Sequence, residues 1–130
     1  MGISLLIIES DGHFRENLSQ HLNPDTFTVH ESDDESIIES LIDSNRIDVV
    51  LLGLARLKRK GLSILKMIKM KSPATQVIII SDSRQIDLSI EGMKLGAFDD
   101  FMIPLDMDSL IQRIRDACDE VSPDENETDF

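Results

Sequence analysis

Four short apolar runs punctuate this chain: Ile3 to Ile8, Ile47 to Leu52, Gln76 to Ile80 and Phe98 to Ile103. The second and third are nearly continuous in Val, Ile and Leu. A strand with one wet face alternates polar and apolar residues. A run that hardly alternates is a strand buried on both faces, as in a parallel sheet covered by helices. Thr26 to Glu31 alternates more and reads as a strand nearer the sheet edge.

Helical patterns fill the gaps. Phe14, Leu18 and Leu22 are spaced by four. Ile37, Ile38, Leu41 and Ile42 form a stripe behind Asp33-Asp34-Glu35, an acidic start that suits a helix N-terminus. Leu62, Ile64, Leu65 and Ile68 line a third helix, stopped before Pro73. Ile86 to Leu95 is a fourth, closed by Gly96. Met107, Leu110, Ile111, Ile114 and Val121 mark a fifth, opened by Asp106 or Asp108.

Strict alternation of strand and helix implies parallel strands joined by crossovers. Five of each in this length predict a flavodoxin-like, doubly wound α/β fold: a five-stranded parallel sheet in the order 2-1-3-4-5, with helices on both faces. Residues 1–121 are expected to form this one domain. Ser122 to Phe130, acidic and containing Pro123, reads as a flexible tail or the start of a linker. No signal peptide or membrane span is expected, and a cytoplasmic location is the default. Cys118 is the single cysteine, so no disulfide can form within the chain.

The formal charge is −12, which disfavours non-specific binding to nucleic acid or anionic membranes. The average hides an island. Seven of the thirteen Lys and Arg residues lie between Arg56 and Lys71, a stretch without one acid. Within it, Arg56, Lys58, Arg59 and Lys60 are candidates for docking an anion or an acidic partner; the plainer reading is a solvated loop and helix face. His13, His21 and His30 show no metal-ligand spacing with one another or with Cys118.

In a doubly wound sheet, function gathers beyond the carboxyl ends of the strands. Those ends carry Glu9-Ser10-Asp11, Gly53, Ser81-Asp82 and Ile103-Pro104. Together with Leu5-Leu6-Ile7-Ile8, Asp48-Val49-Val50-Leu51-Leu52, Val77-Ile78-Ile79-Ile80 and Gly96-Ala97-Phe98-Asp99-Asp100-Phe101-Met102, and with Gly61, they resemble the receiver domains of two-component response regulators. The likeness spans about residues 3 to 120.

The resemblance implies phosphoryl transfer onto an Asp ending the third strand. A Mg²⁺ ion held by an acidic pair and that Asp would neutralise the phosphate, a Lys would pair with it, and a Ser or Thr would report it. Carried over by position, the acidic pair falls on Glu9 and Ser10, the acceptor on Gly53, the hydroxyl on Ser81, the Lys on Ile103 and an aromatic switch on Asp100. Glu9 keeps one carboxylate of the pair on a longer side chain, and Ser81 and Pro104, which follows Ile103, keep the family's residue types. The resemblance therefore implies a degenerate receiver that is not an enzyme and is expected to signal without phosphorylation, by binding another signalling protein or an output domain.

Mg²⁺ binding is expected to be weak or absent, with Glu9 and Asp11 its only oxygen donors; a solvated or helix-capping role is the plainer expectation for Glu9. Ser81 is expected to be a loop hydroxyl bonded to backbone. Phosphorylation at another acidic residue, or a small ligand in the altered pocket, are the alternatives. The resemblance also implies a homodimer surface on the face made by the fourth helix, fifth strand and fifth helix, where Lys94, Asp99, Asp100, Arg113 and Arg115 are candidates for ion pairs between subunits.

Overall fold

The computed structural model describes residues 2–121, and the side chains within that span up to residue 119. The tail expected over 122–130 lies outside the described residues. The elements run β1 (Ile3–Ile8), α1 (Gly12–His21), β2 (Phe27–Glu31), α2 (Glu35–Ser44), β3 (Val49–Gly53), α3 (Leu54–Leu57), α4 (Arg59–Lys71), β4 (Gln76–Ser81), a 3₁₀ turn (Ser83–Gln85), α5 (Ile86–Lys94), β5 (Asp99–Met102) and α6 (Met107–Val121). All four strand pairings are parallel, and the sheet order is β2-β1-β3-β4-β5. This is the expected doubly wound fold.

The unbroken apolar runs are explained by two cores, one on each face of the sheet. Leu6, Ile8, Val50, Leu52, Val77 and Ile79 point to one side and meet Ile38 and Ile42 of α2 and Ile64, Leu65 and Ile68 of α4. Leu5, Ile7, Val49, Leu51, Ile78 and Ile80 point to the other and meet Leu18 of α1 and Leu110, Ile114 and Ala117 of α6. The period of two along each strand thus divides the aliphatic residues between the cores.

Acidic residues open three of the long helices, α1, α2 and α6. Asp11 accepts from the His13 and Phe14 amides at 2.9 and 3.3 Å, and Asp34 from the Ser36 amide at 2.9 Å. At α6 it is Asp106 that caps, accepting from the Ser109 amide and hydroxyl at 2.9 and 2.7 Å. Each carboxylate satisfies N–H groups that a helix start leaves unpaired. Gly96 sits at φ +110 after α5, a left-handed region that favours glycine.

Two features depart from expectation. The third helical region begins at Arg59, and α3 precedes it as a single turn directly after Gly53. The two meet at Lys58, whose φ of 53 is unusual for a side-chain-bearing residue. One turn has no periodicity to read, so the sequence presented this segment as a loop. The extra turn also means that the expected fourth helix is α5 and the fifth is α6.

Candidate functional site

The carboxyl edge of the sheet brings together the ends of β1, β3, β4 and β5. Ile8 pairs with Leu52, so the next residues, Glu9 and Gly53, emerge side by side on the same face. Gly53 pairs in turn with Ile80, and Ser81 with Met102. The Ile103 amide donates to the Ser81 carbonyl at 2.8 Å, continuing the ladder past β5. The Ile103–Pro104 peptide is cis.

Of the plainer expectations for Glu9, solvated or helix-capping, the solvated one fails, and its contact is with Asp11, the residue that caps α1. Glu9 is buried, only 7% exposed, and its Oε2 accepts from the Asp11 amide at 2.8 Å. The rest of the carboxylate leans over Gly53. A Cβ placed on Gly53 would overlap Glu9 Oε1 and stand 2.7 Å from its Cδ, closer than real Cβ atoms come. Glu9 therefore fills the space in which a residue-53 side chain would begin. The signal for this lay in two separate parts of the chain, a Glu after β1 and a Gly after β3, and only the strand register joins them.

The remaining pocket residues are placed as follows. Ser10 is half-buried and supplies no carboxylate. Asp11 is exposed and its Oδ1 is engaged in capping α1. Ser81 is buried at the end of β4, not in a loop, because the ladder to β5 extends through it. Ile103, the residue just past β5, is aliphatic and 38% exposed. Asp82 caps the 3₁₀ turn, and the Arg84 side chain bonded to it holds its carboxyl below the usual carboxylate range.

A divalent cation asks for several oxygen ligands, each free to face it. Glu9 has one oxygen on the Asp11 amide and the other over Gly53, Asp11 is turned to its helix, and Ser10 and Gly53 bring no carboxylate. Among the described residues no three His, Cys, Asp or Glu side chains converge into a possible metal site. This donor set does not fit the Mg²⁺ that the fold implies.

The basic island is partly neutralised within the chain. Arg59 bonds Glu91 at 3.1 Å, Lys60 lies 3.9 Å from Glu35, and Lys71 reaches Glu39 and Asp43 at 3.2 and 3.3 Å. Lys69 donates to the Pro73 and Thr75 carbonyls at 2.9 and 2.8 Å, and its partial burial lowers its pKa. Among the described residues, Arg56, Lys58 and Lys66 are exposed and form no ion pair.

Three of the charges expected to pair between subunits, Asp99, Asp100 and Arg113, find partners within the chain. Arg113 bonds Asp99 at 2.7 Å and Asp116 at 3.3 Å, and stacks 4.3 Å from the Phe98 ring. Asp100 accepts from the Ser89 hydroxyl at 2.7 Å, tying β5 to α5. Arg115 lies 5.4 Å from the Phe27 ring, against the β2 end of the sheet and away from α5. Arg113 and Asp99, and Asp100 and Ser89, are thus close enough to pair within one chain. Lys94 is exposed at the end of α5.

What the same region does present is apolar. Ile86, Ile90 and Met93 lie along one stripe of α5 and are 46, 52 and 38% exposed; Met102, at the end of β5, is 46% exposed. Sequence reading missed this stripe because an amphipathic helix was assumed to turn its whole apolar side inward.

Comparison with known proteins agrees with the architecture. Transcriptional regulatory protein DltR of Streptococcus agalactiae is 30% identical over 111 residues, covering 85% of this chain and 50% of the relative. Response regulator MprA of Mycobacterium sp. (strain KMS) is 24% identical over 125 residues, 96% of this chain and 54% of the relative. This chain thus spans about half the length of those curated relatives. Among solved structures, NtrX from Brucella abortus superposes with a TM-score of 0.85 at 21% identity, over 99% of this chain and 29% of that one. The receiver domain of Francisella response regulator 1452 gives 0.79 at 23% identity, over 93% of this chain and 100% of that one. Among the described residues no helix is long and apolar enough to cross a membrane. Residues 5–115 match the model of the response regulator receiver domain, and the chain belongs to that family.

Proposed function

We propose that this receiver domain works in two-component signal transduction without being phosphorylated, by binding another signalling protein or an output domain. The observation that carries the reading is the Glu9 carboxylate lying where an acceptor side chain on residue 53 would stand. Phosphoryl transfer needs a nucleophile, a cation and a charged group positioned around the phosphate. At the matching positions stand Gly53, a donor set unsuited to Mg²⁺, and the aliphatic Ile103. Removing the acceptor and the Lys together also avoids a buried charge without a partner. On this reading the domain is no enzyme, and other acids do not replace the acceptor: Asp11 is engaged in capping α1, and Asp82 is paired with Arg84.

The binding surface we assign is the α5–β5 face, with Ile86, Ile90, Met93 and Met102 as its apolar centre. Exposed apolar clusters of this kind mark protein contacts. A second copy of the chain is one partner such a face would take.

Intact-mass measurement after incubation with Mg²⁺ and acetyl phosphate tests the reading. An unchanged mass is expected. A gain of one phosphoryl group would replace this function with that of a receiver phosphorylated at a non-standard residue.

A further inference from the structure

Gly53 has φ −83 and ψ 126, extended backbone that any residue adopts. Nothing in the main chain requires glycine there. What the position lacks is room, and the obstacle is one side chain: Glu9, with Oε1 overlapping the site of a Cβ and Cδ 2.7 Å from it. Glu9 is held by its own contacts. It is buried, and its Oε2 accepts the Asp11 amide at 2.8 Å, while Asp11 Oδ1 takes the His13 and Phe14 amides. A continuous path runs from the end of β3, through Glu9 and Asp11, to the first turn of α1.

We propose that Glu9 is the resident occupant of the acceptor site, a carboxylate supplied from β1 that fills the missing side chain's volume and fixes the β1–α1 junction. The proposal rests on the reading of this site as one without phosphoryl chemistry, and adds how the site is closed. Residues 9 and 53 form one unit: the Glu persists because residue 53 has no Cβ, and residue 53 has no Cβ because the Glu is there. The link between β3 and α1 is then permanent and does not wait for a cation or a phosphoryl group.

A double-mutant cycle tests this on the full 130-residue chain. Gly53→Ala should lower the melting temperature by several degrees when Glu9 is present. In the Glu9→Ala chain the same change should be neutral or stabilising, because an added Cβ at extended backbone restricts the unfolded chain. Additive effects would overturn the proposal. Should Gly53→Ala alone not fold, amide NMR of Glu9→Ala provides an independent reading. The Asp11 and Gly53 resonances should both move, and a spectrum with both unmoved would overturn it. The two readings fail separately: additivity in a chain that takes no phosphate defeats the resident Glu9 alone, whereas phosphate uptake defeats the functional reading whatever the cycle gives.

Discussion

The carboxyl edge of the sheet and the α5–β5 face have been built in opposite ways. At the edge, a charged side chain has been drawn inward: Glu9 is buried over Gly53 and bonded to the Asp11 amide. On the face, apolar side chains have been left outside: Ile86, Ile90, Met93 and Met102 lie in solvent. The usual order of burial is the reverse. Two acids of the face are also settled internally, Asp99 on Arg113 and Asp100 on Ser89, and on the proposed reading the apolar stripe is what the face offers to a partner. On that reading, a site loses its chemistry by being filled, while a neighbouring surface keeps the means to bind.

The strongest test of this contrast is Gly53→Asp. The new side chain would enter the volume of Glu9 and bring a second carboxylate beside it. A loss of about 3 kcal/mol is expected, in the range of overpacking combined with an unpaired buried charge, and chemical denaturation would measure it. A matching change on the face should behave differently. Ile90→Asp should leave stability within about 0.5 kcal/mol, as exposed substitutions do. It should also weaken any association through the face by about tenfold or more, read by sedimentation across a concentration series for self-association.

The Ser89–Asp100 bond joins the two regions, because it fixes α5 to the strand that leads to Ile103. Ser89→Ala should cost about 1 kcal/mol, the usual net value of a hydrogen bond, in the same denaturation experiment. Lys58→Gly should go the other way. At φ 53 a side chain is strained, and its removal should gain about 0.5–1 kcal/mol. If Arg56, Lys58 and Lys66 dock an acidic partner, this variant becomes more stable while binding that partner less well.

The smallest effect is in acid. Asp34, Asp82 and Asp106 are all held below the usual carboxylate pKa, by the hydroxyl of Ser36, the side chain of Arg84 and the hydroxyl of Ser109 respectively. A depressed folded pKa contributes stability above the unfolded value and loses it as pH falls through the folded one. Stability should therefore decline below about pH 4, near the ordinary Asp value. Asp106→Asn should flatten that decline slightly, measured as the denaturation midpoint against pH.

The fold was legible because a strand covered on both faces writes an unbroken apolar run, and β1, β3 and β4 do so. The helices were legible from their stripes, and α2 and α6 also from the acids that open them. The single turn α3 was not, since four residues carry no period. Gly53 was legible, through the resemblance to receivers, as the residue at the acceptor's position. That Glu9 fills it was not, because the contact depends on β1 and β3 pairing in one register, a property of neither segment alone. The same holds for Arg113 and Asp99, fourteen residues apart and in contact only once α6 packs beside β5. Exposed apolar residues are hidden for a related reason: Ile90 and Ile79 look alike in sequence, and packing alone sends one outward and one inward.

The most direct measurement is amide NMR of the isotopically labelled chain, titrated with Mg²⁺ and then with beryllofluoride, a mimic of a phosphoryl group. The expected result is that the amides of Asp11, Gly53 and Ser81 do not move, because Glu9 already occupies the site. Saturable shifts at those three residues would contradict it, since they would mean that a cation and a phosphoryl mimic still find a place there.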